Sequence, residues 1–170
     1  MNSAGRPASA IRYPQGGQSN SWASSADVRR RMQRQPTRDT GPELALRRVL
    51  HAIGLRYRVD VSPIKSLRRR ADIVFGPSRV AVFVDGCFWH GCPVHGRRRT
   101  HANSEYWTSK IASNVKRDRD TDNQLESAGW VVIRVWEHES ASEAALVVEA
   151  AVKRRRARFA RSSNSASKSQ

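Results

Sequence analysis

The stretch Val82-Phe83-Val84-Asp85-Gly86-Cys87-Phe88-Trp89-His90-Gly91-Cys92-Pro93-Val94-His95 decides how this chain is read. Its first part is an apolar, β-branched run that closes on an acid, as a buried strand does where it ends at a site. The ten residues after Asp85 then hold two cysteines, two histidines and two adjacent aromatics. Few purely structural roles need all of these together. With Asp72, which lies upstream on a second strand-like run, the stretch reads as a metal-dependent nuclease centre beside a structural zinc knot.

The acids carry the first half of that reading. Asp72 interrupts Ala71-Asp72-Ile73-Val74-Phe75, and Asp85 ends Val80-Ala81-Val82-Phe83-Val84. Asp is disfavoured inside strands, and a buried carboxylate is costly unless it is paired or binds a metal. If the two strands pair, both acids reach one end of the sheet. Two carboxylates there, with a backbone carbonyl such as that of Val84, suit Mg²⁺. The plainer alternative is that Asp72 answers the cations Arg68–Arg70 and Asp85 starts a turn.

The cysteine–histidine group is more specific. Cys87, Cys92 and His95 offer three ligands from one loop. A fourth comes from His138, just after Trp136-Glu137, or from its competitor His101. Four such groups make a closed tetrahedral Cys₂His₂ zinc site. His90 is spare in this count, so it reads as a general base for the attacking water or as a further zinc ligand. Asp118 falls on the inward stripe of a long helix, where a carboxylate needs a partner. That partner is an imidazole or one of the neighbouring cations, Arg117 and Arg119. Phe88 and Trp89, with Trp107, are candidates for wedging between base pairs, a use to which exposed aromatics are put on basic proteins; core packing is the alternative. Glu43 sits at a capping-box position that explains it without catalysis.

The frame around these residues is that of an α/β domain with a mixed central sheet flanked by helices. Thr40-Gly41-Pro42-Glu43 opens a helix whose apolar face is Leu44, Leu46, Val49, Leu50 and Ile53, stopped by Gly54. Strand-like runs follow at Leu55–Val61, Ala71–Phe75 and Arg79–Asp85, the last two forming a central, buried hairpin about Gly76-Pro77-Ser78. A Gly- and Arg-rich loop, Gly91–Asn103, leads to a helix at Ser104–Ala128 with Trp107, Ile111, Val115 and Leu125 on one face. Then come a strand at Trp130–Trp136 and a helix at Ser142–Arg158. The expected order is α-β-β-β-α-β-α. Residues 1–26 and 159–170 read as disordered tails around a single domain at 27–158, without internal repeats.

Composition narrows the function class. The chain has 170 residues, with 31 Lys+Arg against 15 Asp+Glu and a formal charge of +16, which points to a polyanionic partner and first to nucleic acid. No apolar run is long enough to span a bilayer. There is no secretory signal, so two close cysteines among histidines read as metal-binding before they read as a disulfide.

These residues together resemble the Vsr-type very-short-patch repair endonucleases. The matching pieces are Arg38-Asp39-Thr40 with Glu43, the Ala71-Asp72-Ile73-Val74 strand, and the string from Val82 to His90. The helix bearing Glu105-Tyr106-Trp107, Lys110-Ile111, Asn114-Val115 and Arg117-Asp118-Arg119 matches too, as do Gly129-Trp130 and Val135-Trp136-Glu137. They span about residues 28–140 in the family's order. The resemblance implies a restriction-endonuclease-like fold of the PD-(D/E)xK type, a structural Zn²⁺ and a catalytic Mg²⁺. It implies a nick on the 5′ side of the thymine in a T·G mismatch left by deamination of 5-methylcytosine. Under it Asp72 is the principal Mg²⁺ ligand, helped by the Val84 carbonyl, and His90 with Asp118 serves the attacking water. Glu43 is a supporting acid, and Phe88, Trp89 and Trp107 intercalate. Cys87, Cys92, His95 and His138 hold zinc. The expected partner is double-stranded DNA with a T·G pair, with mismatch-repair proteins such as MutL beside it. The expected state is a monomer in the bacterial cytoplasm, at the nucleoid. Some relatives carry a threonine–histidine pair where this chain has Val84-Asp85, which makes Asp85 a candidate direct or water-mediated metal ligand, and the zinc ligands are permuted between Cys and His.

Two other functions stay open on sequence. One is a general or homing-type endonuclease on the same fold. The other is a zinc-stabilised DNA-binding module without catalysis. Asp72, Asp85 and His90 discriminate, because a binding module gains nothing from buried acids that repel phosphate.

Overall fold

The computed structural model describes residues 30, 34, 36–95 and 104–166. The expected tail at 1–26, the domain start at 27 and the alternative zinc ligand His101 lie outside them. Among the described residues the order is α1 (Gly41–Ala52), β1 (Arg58–Val61), β2 (Ala71–Phe75), β3 (Val80–Asp85), α2 (Ser104–Ser127), β4 (Val131–Trp136) and α3 (Ala141–Ala166). This is the α-β-β-β-α-β-α order expected from the sequence.

The strands form one mixed sheet, β1-β2-β3-β4. β1 and β3 each pair antiparallel with β2, and β4 runs parallel to β3 in the register Phe83↔Arg134 and Asp85↔Trp136. The β2–β3 hairpin is therefore central, as its unbroken apolar character requires. Its turn extends one residue beyond Gly76-Pro77-Ser78: Arg79 has φ +50° and donates its N–H to the Gly76 carbonyl at 3.0 Å.

Two cores cover the two faces. On one, Ile73, Phe75, Val80, Val82 and Val135 pack with Leu46 and Leu50 of α1 and Ala144, Val148 and Val152 of α3. On the other, Val74, Ala81 and Phe83 pack with Leu125 of α2. Each fully buried aliphatic side chain contributes roughly 1.5–3 kcal/mol.

Helix ends explain where the expected boundaries shift. Gly54 at φ +84° donates to His51 and Leu55 donates to Leu50, a Schellman closure, so Leu55 caps α1 and the first strand begins only at Arg58. Gly129 and Trp130 close α2 onto Glu126 and Leu125 in the same way. The inward stripe of α2 is more polar than expected: Trp107, Asn114, Thr121 and Leu125 are buried, with Ile111 and Val115 only half-buried. The last helix runs on to Ala166, through residues expected to start a tail at 159. No helix of the described residues is long and apolar enough to cross a membrane.

Candidate active site and metal centre

β2 runs against β3, so Asp72, near the start of β2, and Asp85, at the end of β3, arrive at the same end of the sheet. The registered pairs run out at Ile73↔Val82. Beyond them the Asp72 carboxylate accepts the Val84 backbone N–H at 2.7 Å. Burial, above all, pushes the Asp72 carboxyl up to about 6; the charges of Glu43 and Asp85 push the same way, while the Val84 N–H and Arg47 oppose. A half-buried acid that shares its surroundings with two more is a carboxylate in want of a cation.

Glu43 does cap α1, but one residue earlier than a standard capping box. It accepts the Asp39 backbone N–H at 3.0 Å and the Thr40 hydroxyl at 2.9 Å. It also accepts from the buried Arg47 at 2.9 Å, so the helix terminus that sets Glu43 also fixes its charge near Asp72.

The turn after β3 carries the imidazole. Trp89 and His90 both donate their N–H to the Gly86 carbonyl, and Cys92 donates to Cys87. Gly91 sits at φ +67°, and a Cβ there would meet Ile111 Cγ2 and Val115 Cγ2 of α2 at 3.3 and 3.4 Å, so α2 can approach only because this residue is glycine. Asn114 of α2 donates to the Trp89 carbonyl at 2.9 Å and ties the turn down. His90 Nδ1 lies 2.6 Å from Asp118 Oδ2 and 3.5 Å from Asp85 Oδ1. Burial raises the Asp118 carboxyl, but the hydrogen bond and charge of His90, with Arg134 and Arg117, outweigh it and hold the group below the usual carboxylate range. An ionised Asp118 can only accept, so Nδ1 carries the proton and Nε2 is the nitrogen available to a substrate water. Of the two partners weighed for Asp118, the imidazole is the one found.

Asp85, expected as a candidate direct or water-mediated metal ligand, is ion-paired in this structure. Both of its oxygens accept from Arg134 Nη1, at 2.9 and 2.8 Å. The reason is the parallel β3–β4 register, which sets Arg134 opposite Phe83 and one step from Asp85. Arg134, missed in the sequence, also donates to Asp122 and to the Asp118 main-chain carbonyl. Its signal was a lone cation inside the apolar run Val131–Trp136.

The aromatics pack on each other. The Phe88, Trp89 and Trp107 ring centroids lie 5.1–5.7 Å apart in edge-to-face pairs. Trp107 is 5% exposed and Phe88 and Trp89 are half-buried, so the three rings form a closed cluster in this structure.

The second site lies one turn away. Cys87, Cys92, His95 and His138 bring one ligand atom each within 4.8 Å of all the others, a group that could hold a metal ion. Cys87 Sγ is 3.0 Å from His138 Nδ1 and 3.6 Å from His95 Nδ1. Sulfur and nitrogen ligands at the corners of a tetrahedron with bonds of about 2.0–2.3 Å lie roughly 3.5 Å apart, so these spacings match such a donor set. Burial, then Cys92 and Glu137, push the Cys87 thiol up to about 12. Glu137 also accepts the Cys87 N–H at 2.7 Å and orders the loop.

Comparison with known proteins places the chain in a family. The family model described as DNA mismatch endonuclease Vsr matches residues 24–95, which take in α1, the first three strands and the loop bearing Cys87, Cys92 and His95. The type II nicking enzyme V.NaeI of Lentzea aerocolonigenes is 47% identical over 121 residues, 70% of this chain and 72% of the relative. The chain belongs to the Vsr family. With the family it is a DNA endonuclease. The type II nicking enzyme V.XorIIP of Xanthomonas oryzae pv. oryzae is 39% identical over 115 residues, 68% of this Vsr-family chain and 82% of the relative. The DNA mismatch endonuclease Vsr of Escherichia coli K12 is 39% identical over 101 residues, 59% of this chain and 63% of that one.

Proposed function

We propose that this Vsr-family endonuclease nicks one strand of duplex DNA on the 5′ side of the thymine of a T·G mismatch, in a magnesium-dependent hydrolysis on a restriction-endonuclease-like sheet. The observation that carries the reading is a chain of groups at one sheet end: Asp72 within the field of Asp85, Asp85 3.5 Å from His90 Nδ1, and His90 Nδ1 2.6 Å from Asp118. Asp72 and the Val84 carbonyl would hold the divalent ion, whose charge would offset what builds on the phosphate as it is attacked. The fit rests on Asp72 itself, a half-buried carboxyl pushed up to about 6 near Glu43 and Asp85.

The chain's own groups do the rest. His90 takes the proton of the attacking water at Nε2, and Asp118 keeps Nδ1 protonated and the ring oriented. Glu43, tied to Arg47, adds negative charge beside Asp72 and strengthens its demand for a cation. Cys87, Cys92, His95 and His138 hold a structural zinc ion that fixes the turn bearing His90. Phe88, Trp89 and Trp107 open against the stacked bases at the mismatch. The excess of cations over acids holds the phosphate backbone, and the enzyme acts as a monomer on nucleoid DNA in concert with mismatch-repair proteins such as MutL.

The test is a nicking assay with magnesium on end-labelled duplexes that differ only in one pair, T·G or T·A. Nicking of T·G at least a hundredfold faster, on the thymine strand alone, is the expected result. Equal cutting of both would make the protein a general endonuclease. Tight binding with no cutting in any context would leave a DNA-binding module.

A further inference from the structure

Arg134 lies outside every role derived so far, yet each of its three guanidinium nitrogens donates a hydrogen bond. It projects from the middle of β4 over the Phe83 ring, 4.8 Å from its centroid. From there it reaches three acids on two other elements. Nη1 donates to both oxygens of Asp85 at 2.9 and 2.8 Å. Nε donates to Asp122 at 3.0 and 3.1 Å, and Nη2 donates to Asp122 at 2.9 Å and to the Asp118 carbonyl at 3.3 Å. Nη2 is also 3.7 Å from an Asp118 carboxylate oxygen. Burial disfavours the guanidinium charge, but Asp122 and Asp85 hold it protonated beyond its ordinary range.

Two of these acids compete for one proton donor. His90 Nδ1 has Asp118 at 2.6 Å and Asp85 at 3.5 Å. A carboxylate whose two oxygens both accept from a cationic N–H is a poor further acceptor, and an arginine can hold it with Nη1 while the Nε–Nη2 fork grips Asp122, which a lysine cannot do. Arg134 therefore decides the competition: it takes Asp85 out and braces Asp118 through its main chain. We propose that Arg134 is a positioning residue for strand cleavage, the group that makes Asp118 and not Asp85 the partner of His90 Nδ1 and so sets the direction in which the ring presents Nε2. The inference rests on the role given above to His90. It also assigns Asp122 a function, as the anchor that holds the guanidinium from the far side.

The experiment pairs kinetics with a direct view of the imidazole. Single-turnover nicking of the T·G duplex and DNA affinity without magnesium are measured for wild type, R134Q and R134K. The ¹H and ¹⁵N resonances of the His90 imidazole are recorded on the same three proteins. R134Q is expected to lose at least a hundredfold in the cleavage rate with affinity changed less than threefold. Its His90 Nδ1 proton, held by Asp118 at 2.6 Å in wild type, is expected to move upfield as Asp85 is released to compete for it. R134K should recover part of the rate, because an ammonium supplies charge but cannot bond Asp85, Asp122 and the Asp118 carbonyl together. Where R134Q does not fold, D122N/R134Q removes one stranded charge while keeping Asp85 as the competitor, and the His90 proton is read in that background. A cleavage rate within threefold of wild type, or an unchanged His90 Nδ1 proton resonance in the variant, overturns the proposal. D72N serves as the control for the underlying reading: if it nicks as wild type does, the assignment of the cleavage site fails, while the His90 proton resonance still judges Arg134.

Discussion

Replacing Asp72 with asparagine should make the magnesium-free protein more stable, and increasingly so as the pH rises. Asparagine is never charged, and its side-chain oxygen can still accept the Val84 N–H that the carboxylate accepts at 2.7 Å. Burial and the neighbouring acids lift the folded-state value from 3.8 to about 6. The folded protein thus prefers Asp72 protonated. Its contribution to stability is complete below the unfolded value of 3.8 and is lost as pH climbs through about 6. At about 1.4 kcal/mol per unit, the 3.8-to-6 difference is worth about 3 kcal/mol at high pH. The same two values leave about 1.6 kcal/mol already lost at pH 5, so the advantage of D72N over wild type should grow by about 1.4 kcal/mol between pH 5 and pH 8. That window stays clear of the acid range in which histidine and cysteine ligands would release a structural metal. Urea unfolding in buffer stripped of magnesium, with the tightly held metal retained, measures the difference. Adding magnesium at pH 8 should then stabilise wild type and leave D72N unmoved. An advantage that does not change with pH, or a magnesium effect of equal size on both proteins, would refute the placing of a charge-starved carboxylate at this strand end.

Two further outcomes bear on the loop. C87S and H138A should each be purified without the tightly bound metal and melt at lower temperature, whereas H101A should keep it; elemental analysis decides, and a folded, metal-loaded C87S would remove the proposed zinc ligands. G91A should cost about 1–3 kcal/mol in urea unfolding, because a residue at φ +67° gains a Cβ 3.3 Å from Ile111. An unchanged midpoint would mean that α2 can give way at that contact.

The readings that held are those governed by near neighbours in the chain. Gly54 and Gly129 end helices because a left-handed residue closes each C-terminus, and both are glycine. Ala71–Phe75 falls where the apolar run said it would, with no shift at either end. The four-residue metal group was legible because Cys87, Cys92 and His95 share a loop, and His138 stands just past the strand that pairs beside it. The readings that moved depend on what lies across a gap in the chain. Leu55 looked like strand and serves the helix cap, since its N–H is claimed by Leu50. Phe88, Trp89 and Trp107 read as wedges or as core, and in the structure their rings cover one another, which no spacing along the chain reveals.

The chain alone determined the element order, the central buried hairpin, the polyanion-seeking charge and the residue types of both sites, because caps, turns, periodicity and charge are written in neighbouring residues. Tertiary structure alone decided how the acids share their partners. Arg134 is 49 residues from Asp85, 16 from Asp118 and 12 from Asp122. Only the parallel β3–β4 register, with α2 bearing Asp118 and Asp122 toward Arg134, brings these four charges together. A guanidinium's choice among carboxylates is made by distance and burial, and a sequence carries neither.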